Sequence, residues 1–169
     1  VVKLLHDRQN LYVGLWCYDD NAQDIRSTQR ARDARLDPDD RVELLFDPFE
    51  NRRTVYFFQI GAGGSLGDIL ISQNGGRFDK PWDAIWDGRA KVTDAGWFAE
   101  LAIPFRSLPR ADGARRWGFN VKRYVRTANE EYQWANPSQA VSFYRASECG
   151  TIEGFGPIDG GLGLDVVPY

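Results

Sequence analysis

Apolar and polar residues alternate with a period of two along several short segments of this chain. Residues 11–18 alternate a small aliphatic set with a mostly aromatic set, which is the pattern of a β-strand. Because both faces of this segment are apolar, we expect the strand to lie in the centre of a sheet. In the next segment Val42, Leu44 and Phe46 predict an inward face, with charged residues on the opposite face.

Further strands are predicted where β-branched and aromatic residues are dense. They cover residues 54–60, 68–72, 86–93, 97–103, 117–126 and 131–135. The polar, arginine-rich stretch 23–36 predicts a loop or short helix inserted between the first two strands, and 105–108 predicts a helical turn. Short strands separated by turn residues, with almost no helical periodicity, indicate an all-β fold built as an antiparallel β-sandwich.

Length and charge narrow the class of protein. A chain of 169 residues with 43% apolar content can bury one core, so we expect a single domain over residues 1–169. The chain begins Val-Val-Lys, which we interpret as a fragment of a longer protein. A net charge of -3 and a pI near 5.2 argue against a nucleic acid partner. No apolar run is long enough to span a bilayer, so we expect no direct membrane insertion of this domain.

The chain has two cysteines, Cys17 and Cys149, and one histidine, His6. The long separation of the cysteines excludes a CxxC metal or redox motif. Cys17 alternates with aliphatic residues and is interpreted as a small buried hydrophobic residue, with a disulfide to Cys149 as the alternative in an oxidising compartment. A single histidine and the absence of methionine exclude bis-histidine and histidine–methionine haem ligation, so no haem is expected.

Two motifs point weakly to catalysis. The run Gly63-Gly64-Ser65-Leu66-Gly67 matches G-x-S-x-G, the nucleophile elbow of hydrolases. The elbow needs a following helix and a later histidine, whereas His6 lies upstream, so we interpret this run as a loop. The many carboxylates also leave room for the acid pair of a glycoside hydrolase, but they cluster at strand ends among arginines, which favours a structural role.

Acidic residues are concentrated between residues 19 and 47, where nine carboxylates occur. Calcium takes six to eight oxygen ligands, which loops flanking strands supply from carboxylates and carbonyls. Five arginines in the same stretch could neutralise the acids instead, and no EF-hand spacing is present. Both readings stay open at this point. The candidate metal ligands are the acids nearest the strand ends: Asp19, Asp20, Asp39, Asp40 and Asp47.

The tryptophans are the candidates for a ligand-binding site. Trp97 and Trp117 stand at strand starts beside glycines and are expected in the core. Trp82 and Trp86 lie in a loop-to-strand segment where a large ring is harder to bury, and Trp134 lies among amides and arginines. Exposed rings suit the apolar faces of sugars, and polar side chains suit their hydroxyls; the alternative for each ring is an ordinary half-buried strand aromatic. The candidate ligand-binding residues are Trp82, Trp86, Trp134, Arg123, Arg126, Gln133 and Asn136.

Several longer segments follow one another in an order that resembles family 9 carbohydrate-binding modules. They are LYVGLWCYDD, RARDARLDPDDRVELLFDPFENRRTVYFFQIGAGGSLGD, WDAIWDGRAKVTDAGWFAELAIPFRSL, WGFNVKRYVRTANEEYQWA, CGTIEG and LDVVPY. The most specific pieces are GWFAELAIPF with the preceding WDAIW, and DDRVELLFDP. More narrowly, the chain is similar to the module that precedes a large domain of unknown function in bacterial envelope proteins. The resemblance covers nearly the whole chain.

The resemblance implies a β-sandwich of the immunoglobulin-like or DOMON-like jelly-roll type. It implies an extracytoplasmic location, in the periplasm or associated with the outer membrane, and non-catalytic sugar binding, often with structural calcium. Relatives hold a terminal sugar between two tryptophans, for which Trp86 or Trp82 and Trp134 are the nearest matches here. The upstream strand that usually opens such modules is missing from the predicted strands, as expected of a fragment.

Two functions from different classes follow. In the first, the chain is a carbohydrate-binding module of a larger envelope protein, with exposed, roughly parallel rings lining a groove. In the second, it is a structural or protein-interaction domain that contacts the remainder of its own polypeptide through a flat apolar patch near Val167 and Tyr169. A glycoside hydrolase is the third reading, and it would require two carboxylates facing one groove about 5 to 10 Å apart.

Overall fold

The structure, a computed structural model, describes residues 1–159, and these residues form β-strands joined by turns and short 3₁₀ helices. The expected all-β sandwich is confirmed. The strands are β1 (Val2–His6), β2 (Asn10–Tyr18), β3 (Arg41–Asp47), β4 (Val55–Gly61), β5 (Leu66–Ser72), β6 (Arg77–Asp79), β7 (Asp87–Thr93), β8 (Gly96–Pro104), β9 (Arg116–Val125), β10 (Glu130–Gln133) and β11 (Gly150–Glu153). The 3₁₀ helices are Ala22–Asp24, Gln73–Gly75, Phe105–Ser107 and Ala146–Glu148.

The strands form two antiparallel sheets. The smaller sheet has four strands in the order β1-β2-β8-β7. The larger sheet has seven, in the order β10-β9-β3-β4-β5-β6, with β11 also pairing with β9. The expected central position of β2 is confirmed, because it pairs with β1 on one side and β8 on the other. Strands β1, β6 and β11 were not expected from the sequence pattern, since each is short and weakly alternating.

The main core lies between the two sheets and is built from their facing side chains. Alternation on β3 places Val42, Leu44 and Phe46 in this core, as predicted. Trp97 of β8 and Trp117 of β9 are both 0% exposed, which confirms their expected place in the core. Aromatic packing extends to Phe155, whose ring stacks on Trp117 with centroids 4.2 Å apart. The two sheets are therefore held together mainly by aromatic and aliphatic burial.

A second apolar cluster covers the outer face of the larger sheet. Leu45 and Phe57 point outward from β3 and β4 and pack with Phe143, Ala146 and Cys149 from the segment between β10 and β11. A buried ion pair lies at the side of this cluster, where Lys122 Nζ is 3.0 Å from Glu43 Oε2. The segment between β10 and β11 thus closes the outer face of the larger sheet.

The two cysteines occupy different layers of the molecule. Cys17 lies in the core between the sheets, whereas Cys149 lies in the cluster outside the larger sheet. Both thiols are unpaired and buried in the described part of the chain. The interpretation of Cys17 as a small buried hydrophobic residue is confirmed, and the alternative of a Cys17–Cys149 disulfide is wrong, because the larger sheet lies between the two side chains.

The motif at residues 63–67 forms the turn between β4 and β5. The main-chain N–H of Gly61 donates to the carbonyl of Ser65 at 2.9 Å, which closes the turn. Ser65 is buried, and its hydroxyl donates to the carbonyl of Ala31. The motif is therefore a hairpin turn whose serine holds the loop around Ala31. This agrees with its interpretation as a loop. Within residues 1–159, no helix is long and apolar enough to cross a membrane.

Candidate functional site

A groove of about 590 Å³ opens between the two sheets along the side where β1 and β10 form their edges. One wall comes from the first residues of the chain, from Tyr18 at the end of β2, and from residues 19–21 directly after it. The other wall comes from β9 and β10. Its lining residues are Val1, Val2, Tyr18, Asp19, Asp20, Asn21, Val121, Arg123, Val125, Tyr132, Gln133 and Trp134.

Two aromatic residues, Tyr132 of β10 and Trp134 directly after it, line this groove. The register pairs Tyr132 with Arg123, and the main-chain N–H of Trp134 donates to the carbonyl of Val121 at 3.0 Å. Because side chains on a strand alternate, both rings lie on the same face of the sheet as Val121 and Arg123. Tyr132 is 57% exposed and Trp134 is 55% exposed, so both rings are available to a ligand.

The indole of Trp134 is held in place from below. Its ring contacts Phe119 at a centroid distance of 5.6 Å. It also lies directly against Gly150 of β11, where a Cβ atom would be only 2.5 Å from the indole Cζ3. A glycine at this position lets the ring approach the backbone closely. The protein therefore supports the indole with a core aromatic and a bare backbone while the rest of the ring borders the groove.

Arg123 supplies the fixed charge of the groove. Its guanidinium donates to the carbonyl of Tyr18 at 2.8 Å and to the carboxylate of Asp19 at 3.1 Å. These contacts cross from the larger sheet to the smaller one and hold the planar group in one orientation. Its Nε is buried and has no partner among residues 1–159. Asp19 is thus an orienting partner of Arg123.

A side-chain amide holds the end of β10 against β9. Asn120 Nδ2 donates to the carbonyl of Ala135 at 2.8 Å, and its Oδ1 accepts the main-chain N–H of Ala135 at 3.0 Å. This pair of hydrogen bonds extends the pairing of the two strands by side-chain contact just past Trp134. It fixes the backbone on the C-terminal side of the exposed indole.

Trp82 and Trp86 lie elsewhere and are not exposed platforms. Trp86 is only 7% exposed, and its Nε1 donates to the carboxylate of Asp68 at 2.7 Å. Arg32 lies over its ring at 5.6 Å and also binds Asp68. Trp82 is half-buried against Tyr56, with ring centroids 5.2 Å apart. The expectation of an exposed Trp86 is wrong, because a buried carboxylate satisfies the indole N–H and so permits burial in a loop.

Three other predicted residues divide between the groove and its surroundings. Gln133 lines the groove with Trp134. Arg126 lies outside it, and its guanidinium donates to the hydroxyl of Tyr124 at 3.3 Å. Asn136 lies in the loop after β10, where its side-chain oxygen accepts the main-chain N–H of Ser138 at 3.1 Å. The structure therefore brings Trp134, Arg123 and Gln133 together and leaves Arg126 and Asn136 outside.

The groove differs in composition from the other large depression on the surface. That depression, of about 510 Å³, is lined by charged and small residues between Arg110 and Arg115 and by Gly156, Pro157 and Ile158. It has no aromatic lining residue among those described. Sugar-like ligands are recognised by an aromatic surface beside a few oriented polar groups, which favours the groove at β10.

Solved structures with a similar architecture include the following three. A protein from Bacteroides uniformis, provisionally described as carbohydrate-binding, matches with a TM-score of 0.73 and 14% identity, over 90% of this chain and 76% of that one. A family 9 carbohydrate-binding module from Caldicellulosiruptor kristjanssonii in complex with glucose matches with a TM-score of 0.63 and 16% identity, over 90% of this chain and 74% of that one. A family 9 module from the same organism in complex with cellotriose matches with a TM-score of 0.62 and 17% identity, over 99% of this chain and 78% of that one.

This chain has the fold of family 9 carbohydrate-binding modules. The resemblance seen in the sequence is thereby confirmed at the level of the fold. No family model matches the sequence, and no curated protein matches it. The position before a domain of unknown function stays a prediction.

The five acids predicted as calcium ligands in this family 9 fold do not share one site. Asp40 precedes β3 and Asp47 ends it, so about 20 Å of extended strand separates them. Within residues 1–159 no three acidic, histidine or cysteine side chains converge on a common point. These five residues therefore do not form one ligand set within residues 1–159, and calcium binding stays a prediction.

Most of these carboxylates accept hydrogen bonds from the protein. Asp39 is fully buried and accepts the hydroxyl of Thr28 and the main-chain N–H of Gln29, both at 2.6 Å. Asp47 accepts the main-chain N–H groups of Asn51 and Arg52. Burial raises the pKa of Asp47 above its ordinary value, and these N–H groups oppose that rise. The acids near the strand ends thus brace loops, chiefly through main-chain donors. Asp20 lies exposed at the rim of the groove.

Asp40 is the exception among the acids. It is 1% exposed, its Oδ2 accepts the main-chain N–H of Arg26 at 2.8 Å, and its Oδ1 has no partner among residues 1–159. Burial raises its pKa. The main-chain N–H groups of Arg26 and Arg126 and the charge of Arg123 oppose that rise, and the charge of Asp19 adds a smaller increase. A buried carboxylate oxygen without a partner is the one feature here that fits an additional cation.

Tyr18 and Tyr132 are the aromatic groove residues that sequence reasoning missed. Tyr132 stands two residues before Trp134 on a strand, so the period of two places both rings on one face. That signal was present in the sequence. Tyr18 is 58% exposed and meets the groove only because β2 and β9 face each other across the sandwich, and this neighbourhood has no local signal.

Proposed function

We propose that this chain is a non-catalytic carbohydrate-binding module that holds a sugar in the groove between β1 and β10. The observation that carries the proposal is the pair of exposed rings, Tyr132 and Trp134, beside the oriented guanidinium of Arg123. Pyranose rings present apolar C–H faces and polar edges, which match an indole face and a nearby fixed donor. The family 9 modules with the same fold were solved with glucose and cellotriose, which supports the same ligand class.

Each groove residue has a defined part in this proposal. Trp134 provides the main stacking surface, because Phe119 and the backbone at Gly150 support its ring from behind. Tyr132 extends that surface along β10. Arg123 donates to sugar oxygens from the groove floor, and Gln133 lies within the lining. The ion pair with Asp19 keeps the guanidinium in place before the ligand arrives, which lowers the entropic cost of binding.

The test compares two arginines by isothermal titration with glucose and cellotriose. Arg123→Gln removes the groove guanidinium, and we expect affinity to fall roughly tenfold or more, since a polar sugar edge loses a charged donor. Arg126→Gln is the matched control, because Arg126 lies on the same strand end outside the groove, and we expect no change. Equal losses in the two variants, or no titration signal from the wild type with any oligosaccharide, would remove the basis of the proposal.

We also propose an extracytoplasmic location, in which the module is part of a larger bacterial envelope protein. The support is the family resemblance of the sequence together with the family 9 fold. Free buried cysteines are compatible with either redox compartment, so they do not bear on location. Fractionation of cells that express the full-length protein tests this, with recovery in the cytoplasmic fraction as the contradicting result.

Calcium binding is proposed for a single position. Asp40, with its partnerless Oδ1, and the neighbouring Asp19 would provide carboxylate oxygens, and backbone carbonyls would complete a calcium shell. We expect calcium to raise the melting temperature of the wild type and to have no effect on Asp40→Asn. If the wild type melts at one temperature with calcium and with a chelator, Asp40 is a loop brace alone.

The alternative of a structural or protein-interaction domain is an outcome of the same titrations. The apolar patch expected near Val167 and Tyr169 lies outside the described residues. A wild-type protein that ignores sugars but binds the remainder of its own polypeptide would favour this alternative.

A further inference from the structure

The outer face of the smaller sheet carries a row of aromatic side chains that the groove does not use. Alternation along β2 points Tyr12, Trp16 and Tyr18 away from the core, whereas Leu11, Val13 and Leu15 are buried. Phe98 of β8 is paired with Trp16 and points the same way. We call Tyr12, Trp16, Tyr18 and Phe98 the aromatic strip.

A glycine lets the central indole of the strip lie low on the sheet. Gly14 occupies the outward position between Tyr12 and Trp16, and a Cβ atom there would be 2.8 Å from the indole Cζ3 and Cη2 of Trp16. The indole therefore lies along the sheet surface over Gly14. A side chain at position 14 would push the ring up from the surface. The sequence Tyr-Val-Gly-Leu-Trp thus lays the central indole low on the sheet, whereas the ring of Tyr18 stands edge-on to Phe98.

The strip is long and open. Tyr12 and Tyr18 are six residues apart on one strand, which corresponds to about 20 Å. Tyr12 is 39% exposed and Tyr18 is 58% exposed. Trp16 and Phe98 between them are half-buried. Within residues 1–159, the second apolar cluster lies on the larger sheet and takes no member from the smaller one. A surface of this length suits several sugar units of one chain and exceeds what a single sugar requires.

Charges around the strip are nearly balanced. Lys3 lies over Trp16 with its Nζ 5.2 Å from the ring centroid. The cross-strand registers place Arg89 and Lys91 on the same face as Glu100 and Asp87. This mixture gives no net attraction for a polyanion, so the surface favours an uncharged polymer whose hydroxyls meet the charged rim.

Tyr18 connects the strip to the groove. Its ring packs edge-to-face on Phe98 at 5.9 Å, while the residue also lines the groove. We infer that the strip is a second carbohydrate surface that binds the side of an extended, uncharged polysaccharide, continuous through Tyr18 with the groove that holds a terminal sugar. This inference rests on the proposed carbohydrate binding and extends it from short sugars to polymers.

The experiment uses two probes and separates the two surfaces. Cellotriose titration reports the groove, and co-sedimentation with amorphous and microcrystalline cellulose reports binding to a polymer. Trp16→Thr removes the central ring of the strip and keeps a good strand residue. Phe78→Thr is the matched control, because Phe78 is a 44% exposed aromatic on β6 of the other sheet.

We expect Trp16→Thr to weaken retention on cellulose roughly tenfold while leaving cellotriose affinity unchanged, because one central aromatic often dominates a flat binding surface. Trp134→Ala should lose cellotriose binding and keep part of the cellulose retention. Phe78→Thr should match the wild type in both assays. Tyr12→Thr provides a second strip variant in case Trp16→Thr melts early, and it should weaken cellulose retention in the same direction.

The contradicting results differ for the two proposals. Wild-type retention on cellulose by both strip variants overturns the inference, whereas cellotriose binding then still supports the groove. Loss of cellulose binding in the strip variants with no cellotriose binding in the wild type overturns the groove and keeps the strip. A wild type that binds neither probe overturns both.

Discussion

The larger sheet has a buried tryptophan near one edge and an exposed tryptophan near the other. At the β5–β6 edge, Trp86 is buried, its N–H is bound to Asp68, and Arg32 covers the ring. At the β10 edge, Trp134 is supported on one side by Phe119 and borders an open groove. We refer to these as the sealed edge and the open edge. The indole at the sealed edge is part of the packed interior, whereas more than half of the indole at the open edge stays exposed.

The difference shows what burial of an indole requires. A buried indole needs an acceptor for its N–H, because an unsatisfied polar group inside the protein is costly. At the sealed edge Asp68 is that acceptor, and it also accepts the main-chain N–H of Ala84 at 2.9 Å. One carboxylate therefore fixes a loop, a tryptophan and an arginine together. Burial raises the pKa of Asp68 above its ordinary value, and its hydrogen bonds and Arg32 oppose that rise.

The largest effect expected from this comparison is on stability. Trp86→Ala should lower the free energy of unfolding by about 3–5 kcal/mol, since it empties a core position and leaves Asp68 and Arg32 without their partner. Trp134→Ala is the matched change at the open edge and should cost about 1 kcal/mol or less, because the ring is largely exposed. Urea denaturation measures both. Equal losses would show that the two edges are energetically alike.

A smaller effect is expected from the backbone beneath the open-edge indole. Gly150→Ala places a Cβ atom where the indole of Trp134 now lies, so the ring must shift away from its support. We expect cellotriose affinity to fall roughly fivefold, while stability changes little because the ring can move outward. Gly156→Ala is the control, since its nearest neighbour would be His6 at 3.5 Å. An unchanged affinity in Gly150→Ala would mean that the position of the ring does not matter for binding.

The free energy of unfolding should depend on pH through the buried carboxyl of Asp40. Burial raises the pKa of Asp40, so the folded state takes up a proton there more readily than the unfolded state does. The stabilisation from protonation is complete below the ordinary pKa of 3.8 and is lost as pH rises through the raised folded pKa. Asp40→Asn cannot titrate. The stability of the wild type relative to Asp40→Asn, measured in a chelator, should therefore increase as pH falls from 7 toward 4. A relative stability that decreases on acidification would mean that the fold stabilises the ionised carboxylate.

The smallest effect concerns the thiols on the two sides of the larger sheet. Burial raises the pKa of Cys17 to about 11 and that of Cys149 to about 12. Because the thiolate is the reactive form, both should react slowly with a disulfide reagent at pH 8 and react rapidly only on unfolding. The melting temperature should be the same with and without a reductant. An intramolecular disulfide found by mass spectrometry would contradict the layer assignment of the two cysteines.

Local patterns predicted the strands well because alternation is a property of neighbouring residues. Val42, Leu44 and Phe46 point inward as expected, and Trp97 and Trp117 lie in the core. The short edge strands β1 and β6 were missed, because few of their residues are buried and so little alternation is selected.

The site was predicted only in part, because it depends on contacts between distant segments. Trp134 and Arg123 were identified, and β9–β10 pairing places them together. The burial of Trp86 depends on Asp68 and Arg32, which are far from it in the sequence. The contact of Arg123 with Asp19 crosses the sandwich in the same way. Composition and residue spacing do not predict contacts between residues that are this far apart in the sequence.

Strand β9 has one long neighbour, β3, and two short ones, with β10 along its later residues and β11 along its earlier ones. The chain between β10 and β11 therefore leaves β9 and returns to it. Where it leaves, the side-chain amide of Asn120 forms two hydrogen bonds with the main chain of Ala135. Both ends of this excursion are tied to the same strand. The middle of the segment is held as well, because Phe143, Ala146 and Cys149 pack on the outer face of the larger sheet. Only its exposed part, residues 136–140, can consequently change without disturbing either the packed cluster or the backbone that positions Trp134.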